Sequence, residues 1–165
     1  MAPTNDTAAR PSGPQQLLRA IVRWVLIVHA ALLVVQPFIA GTMLDGRSAG
    51  AQAWHLNIGM ALPAIGFLQI VVTLLAWRLA RGPQGAFTGS IAVWLLELAQ
   101  FFIGYLGLPL AMHIPLGLLV VVAGVGMAYY YCYRAVPDAQ EPASTPVDTC
   151  PNCPQRSSEE KHDGN

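Results

Sequence analysis

Two histidines in this sequence are followed by glycine at the same pair of offsets. His55 precedes Gly59 and Gly66, and His113 precedes Gly117 and Gly124, four and eleven residues on in each case. On a helix, at about 100° per residue, those offsets fall roughly 40° and 20° from the histidine, so each set forms one stripe of histidine and glycine. A weaker echo precedes each, because Gln36 and Gln100 are followed by small residues at Ala40-Gly41 and at Gly104. The chemistry these residue types suit is iron ligation. Neutral imidazole is a good axial ligand, two facing imidazoles fill both axial positions of a haem, and glycine one turn along leaves space beside the ring. Gln36 and Gln100 are placed to hold the outer ring nitrogen of an imidazole. Copper or zinc would ask for more Cys, His or carboxylate ligands than this layer offers. A single histidine here is explained by contact with lipid headgroups, and the glycines by close helix packing. Two sets with identical spacing point to a shared site.

The elements that must position these residues are membrane helices. In 165 residues, 54% are hydrophobic and only 11% charged, which places the chain among small integral membrane proteins and outside ordinary soluble domains. The formal net charge is zero and the nine Lys and Arg residues are scattered, so there is no basic surface for nucleic acid. Residues 1–16 read as a disordered leader. Four apolar segments follow, at about 17–44, 54–78, 86–106 and 109–131, and residues 135–165 read as a disordered tail. The first apolar run is longer than a signal-peptide core and is expected to be a retained helix. Trp54 and Trp77 bracket the second segment, as an interfacial belt would. Arg81-Gly-Pro-Gln-Gly85 separates segments two and three, and only Gly107 and Leu108 separate three and four, which forces an antiparallel hairpin. The expected fold is therefore all-α, a four-helix transmembrane bundle running up-down-up-down.

Arg10, Arg19 and Arg23 precede segment one, Arg78 and Arg81 lie in the second loop, and Arg134 follows segment four, so both termini are expected in the cytoplasm. Helices two and four then both begin at the outer face, with His55 and His113 at similar depth. Short links carry the helices round in sequence and put two and four on a diagonal. Neighbours at roughly 8–10 Å imply a diagonal of about 11–14 Å, enough for a flat macrocycle between two imidazoles. The two helix N-termini supply partial positive charge where haem propionates would sit, and Arg47 in the first loop is a candidate partner for them. Helices one and two read as a diverged copy of helices three and four, related by an axis along the membrane normal.

The pattern Gln100-x3-Gly104 followed by His113, with a preceding helix that opens on His55, resembles one half of the haem A synthase family. The resemblance implies haem held between paired histidines at the outer face of a four-helix unit. Val35-Gln-Pro-Phe-Ile-Ala-Gly41, His55-x3-Gly59 and His113-Ile-Pro115 look closer still to a family of small four-helix membrane proteins common in actinobacteria. Together the likenesses cover roughly residues 19–134. This chain has one four-helix unit where the synthases have two, and no acid stands just before His55, where that family carries its catalytic glutamate.

Other residues invite separate explanations. His29 lies about 21 Å below the outer end of helix one, at a depth comparable to Gln69, and is expected to hydrogen-bond a neighbour such as Gln69. Glu97 is the only acid inside a span, suited either to a neutral hydrogen-bonding role or to a proton path. Cys132, Cys150 and Cys153 make no disulfide framework, and Cys150-Pro-Asn-Cys153 with His162 falls short of a zinc set, so Cys150 and Cys153 are read as solvated thiols. The sequence thus points to a cytochrome b-like protein of the plasma membrane that carries haem b between His55 and His113 and transfers electrons, while an enzyme acting on haem or quinone is suggested by the family likeness alone. Its expected partners are the lipid bilayer and a quinone or redox protein, with room for a homo-oligomer. The alternative is a cofactor-free assembly or interaction subunit, or a small proton-coupled transporter using Glu97 and His29.

Overall fold

The structure is a computed structural model that describes residues 12–46, 48 and 50–135. Four α-helices follow one another: α1 (Gly13–Leu44), α2 (Ala51–Leu79), α3 (Gln84–Tyr105) and α4 (Leu110–Tyr130), the last continued by a short π-helix at Tyr131–Ala135. Each is long and apolar enough to cross a bilayer, which makes this a multi-pass membrane protein. The outer surface carries large exposed apolar side chains such as Trp24, Phe38, Met60, Leu95, Leu118 and Val122, as lipid-facing residues are.

Helix α1 begins four residues earlier than the sequence suggested. Ser12 stands at the N-cap, and its backbone N–H donates to Gln15 Oε1 at 3.1 Å, so residues 13–16 belong to the helix and not to a leader. α2 likewise starts three residues before Trp54, at Ala51. The leader from 1–11, Arg47, and the tail from 136 onward with Cys150, Cys153 and His162 lie outside the described residues.

Among the described residues, each link holds one in the left-handed region: Gly46 (φ 65°), Arg81 (φ 51°) and Gly107 (φ 66°). Arg81 takes the place glycine usually holds after a helix end, with the N–H groups of Ala80 and Gly82 both donating to Ala76 O, at 3.0 and 2.9 Å. The start of α1 covers the same end of α2: Arg19 Nη2 donates to Ala80 O at 2.9 Å and Gln15 Nε2 to Leu79 O at 3.3 Å.

α1 and α3 each pack on α2 and α4, so the helices form a square with α1 opposite α3 and α2 opposite α4. The two halves match in part of what they bury. Adding 64 to Val22, Leu26, His29 and Leu33 gives Ala86, Ser90, Val93 and Glu97, the four buried residues of α3. Adding 58 to Leu62, Gly66, Gln69 and Thr73 gives Val120, Gly124, Met127 and Tyr131, all buried as well. Small residues are matched in the same way. Gly66 receives the carboxylate of Glu97 and Gly124 receives Leu33, the residue that corresponds to Glu97 in the other half.

Candidate functional site

His55 sits one turn into α2 and His113 one turn into α4, and the square brings them together across its diagonal. Their ring centroids are 6.4 Å apart with planes inclined at 70°. Both are half-buried, at the end of the bundle that carries the α1–α2 and α3–α4 turns, here called the upper end. Each ring has a buried Nδ1 without a partner among the described residues. A buried ring nitrogen left unpaired is costly, so two of them at one place ask for a common partner.

Gln100 is one turn of α3 above Glu97 and reaches His113, Nε2 to Nε2 at 3.1 Å. As drawn, the amide nitrogen donates and Gln100 Oε1 stays buried without a partner. With the amide turned over, Oε1 accepts from His113 Nε2–H and Nδ1 is bared as a lone pair, which is how a metal-bound histidine is commonly held. Gln36 does something else. Its Nε2 donates to the backbone carbonyl of His55 at 3.1 Å, not to the imidazole as the sequence had suggested. That carbonyl lies in the first turns of α2, so the contact ties α1 to the start of α2.

Gly59 and Gly117 lie against glutamines of neighbouring helices. A Cβ at Gly117 would come within 2.8 Å of Gln100 Nε2, so that glycine seats Gln100, whereas one at Gly59 would only touch Gln36 Nε2, at 3.4 Å. The residue that makes room for an imidazole is Gly104, where a Cβ would come within 2.8 Å of His113 Cε1. The signal for it was in the sequence, one turn beyond Gln100 on the same face of α3.

A second polar cluster lies below. His29 Nε2 is 2.6 Å from Glu97 Oε1, both side chains almost fully buried. His29 Nδ1 is 2.7 Å from Gln69 Oε1, the neighbour expected for it, while Gln69 Nε2 donates to Ser90 Oγ at 3.1 Å and Ser90 Oγ donates to Ala86 O at 2.7 Å. Glu97, which the sequence left without a partner, is thus paired across the bundle. Above this cluster the buried layer is apolar, formed by Leu33, Leu62 and Val120. Below it the larger apolar cluster of Val22, Leu26, Val72, Ala76 and Tyr131 closes the lower end.

Among the described residues there is no group of three or more His, Cys, Asp and Glu side chains of the kind a protein-only metal site needs. The upper site therefore offers two imidazoles, too few for a structural zinc and equal to the axial requirement of haem. No known protein family, curated protein or solved structure matches this chain.

Proposed function

We propose that this protein binds one haem b between His55 and His113 and serves electron transfer in the plasma membrane, as a small cytochrome b-like protein. The observation that carries this reading is the 6.4 Å separation of the two ring centroids on diagonal helices. A metal–imidazole bond of about 2 Å and a ring-centre-to-nitrogen distance of ~1.2 Å, taken twice, give ~6.4 Å for two imidazoles sharing one iron. The buried, unpartnered Nδ1 atoms and the Gln100 contact to His113 support it. Haem would supply the one-electron couple. The protein's residues hold the two rings at a fixed separation, exclude water from below with the Leu33–Leu62–Val120 layer, and set the orientation of His113 through Gln100. Held by both His55 and His113, the iron would offer oxygen no place to bind, which favours electron transfer over catalysis. The electron partner is a quinone or a redox protein reached at the upper end, on the outer side if the arginine distribution sets the orientation. The likeness to one half of the haem A synthases agrees with ligation by paired histidines, while the missing acid before His55 speaks against synthase activity.

The test is a reduced-minus-oxidised visible spectrum of the protein purified in mild detergent from haem-replete cells. A b-type spectrum is expected in the wild type and its loss in His55→Ala and in His113→Ala. A colourless wild type sinks the proposal. A second reading, a cofactor-free transporter driven by protons through Glu97 and His29, draws on their 2.6 Å contact. Colourless protein combined with solute uptake abolished by Glu97→Gln would select it.

A further inference from the structure

The lower polar cluster draws on both halves of the bundle, His29 and Gln69 from α1 and α2, Ser90 and Glu97 from α3, and the repeat matches none of its members with a polar residue. Glu97 corresponds to Leu33, His29 to Val93, Gln69 to Met127 and Ser90 to Leu26, and every one of these apolar counterparts is buried too. The fold therefore packs the same positions without polar atoms. Placing ionisable groups there is costly in a membrane, and burying an ion pair seldom adds stability over apolar residues of similar size. Packing does not account for the cluster.

Its hydrogen bonds fix where protons are. Ser90 Oγ gives its proton to Ala86 O, so it accepts from Gln69 Nε2, and this turns Gln69 Oε1 toward His29. Gln69 Oε1 only accepts, so His29 Nδ1 carries a proton. The contact between His29 Nε2 and Glu97 Oε1 then holds one further proton, on either atom, and the pair is neutral overall. Glu97 Oε2 is left buried with no hydrogen-bond partner, lying against Gly66. A second proton has one place to go.

We propose that the His29–Glu97 pair is a proton-binding site in the middle of the bundle, which takes a second proton from solvent on Glu97 Oε2 while Oε1 keeps its bond from His29 Nε2–H. The pair goes from neutral to a single positive charge, and no other bond is made or broken. From α1 the titratable group involved is His29 and from α3 it is Glu97. α2 presents Gly66, Gln69 and Thr73, and α4 presents Val120, Gly124 and Met127, none of which titrates. The use of the site rests on the haem reading: Glu97 lies one helical turn below Gln100, so positive charge gained there balances an electron arriving at His55 and His113.

The experiment has one arm that needs no haem. Infrared difference spectra of the full chain in detergent, acid minus alkaline buffer, are taken for the wild type and for Glu97→Gln. The expected result is a deuterium-sensitive carboxylic-acid carbonyl band in the wild type that is lost in Glu97→Gln. Absence of that band at every pH at which circular dichroism shows intact helix, or its retention in Glu97→Gln, overturns the proposal. Because Glu97→Gln is at risk of misfolding, the double variant His29→Val with Glu97→Leu, which copies the other half, is run beside it and should fold and lack the band. In the second arm, the midpoint potential is titrated with dithionite and ferricyanide. Coupling to one proton changes the reduction equilibrium tenfold per pH unit, or 59 mV for a one-electron couple, and the double variant should lose that slope. A bound haem with a flat profile in the wild type overturns the coupling. A colourless protein that keeps the infrared band overturns the haem reading and supports the proton site.

Discussion

Alanine at Gly66 and alanine at Gly124 are the same substitution at corresponding positions, and the structure gives them different costs. Both gain helix propensity, about 1 kcal/mol for replacing glycine inside a helix. At Gly124 the new Cβ meets the terminal methyl Cδ1 of Leu33, its Cγ standing back at 3.8 Å, so a change of rotamer relieves the clash for ~1 kcal/mol. The two effects nearly cancel. At Gly66 the new Cβ meets the carboxylate of Glu97 and, at 2.9 Å, Cδ1 of Trp94. Neither is free to move: Trp94 Nε1 donates to Pro63 O at 2.9 Å, and Glu97 is held by His29 at 2.6 Å. Overpacking of about 1–3 kcal/mol, plus ~1 kcal/mol for the strained indole hydrogen bond, outweighs the propensity gain. Gly66→Ala should therefore be less stable than Gly124→Ala by about 2 kcal/mol, and the buried pair adds to this if the carboxylate is driven away from His29. Thermal unfolding of the two variants in one detergent, followed by circular dichroism, measures the difference. Equal losses, or a larger loss at Gly124, would show that the two halves are held alike and that the asymmetry drawn from Glu97 and Trp94 is mistaken.

The glutamines above the histidines should also separate. If haem binds as proposed, Gln100→Leu, which removes the side chain that touches His113, should weaken its retention by about 10–100-fold, whereas Gln36→Leu, which loses a bond to a backbone carbonyl, should do less; haem transfer to apomyoglobin measures both. Arg81→Gly relieves a non-glycine left-handed residue and should stabilise the fold by roughly 0.5 kcal/mol after the entropy cost of glycine, read as a rise in the unfolding midpoint. Arg19→Ala uncovers the carbonyl of Ala80 at the end of α2 and should cost about 1 kcal/mol, with faster proteolysis near the α2–α3 link.

The fold was legible because membrane helices announce themselves by length and apolarity, and links of a few residues leave little choice of neighbour. The repeat was legible for the same reason a stripe is: Gly59, Gly66, Gly117 and Gly124 fall on one face at helical spacing. What those glycines meet was not. A glycine says that something comes close, and only the neighbouring helix says what: Gly117 seats Gln100 and Gly59 touches Gln36, each from the helix beside it. His29 and Glu97 stand 68 positions apart on opposite corners of the square, and neither spacing nor composition pairs residues at that separation. Depth did carry information, because His29 and Gln69, judged to lie at one level, are in contact at 2.7 Å.

The lower cluster also bears on how the bundle comes together. α1 with α2 forms one hairpin and α3 with α4 the other. The first hairpin closes the His29–Gln69 bond by itself, but the second arrives in lipid with Glu97 and nothing to pair it. An unpaired acid at mid-membrane costs about 2.5–3.5 kcal/mol on the scale of helix insertion, and the only relief within reach is the other hairpin. Docking that sets Glu97 against His29 and Gly66 also sets Gln69 against Ser90. A slip of one turn between α2 and α3 would break all of these at once, while the apolar α1–α4 seam, with Leu33 on Gly124, would tolerate it far better. The polar side of the square thus acts as the key that admits one alignment of two similarly built hairpins.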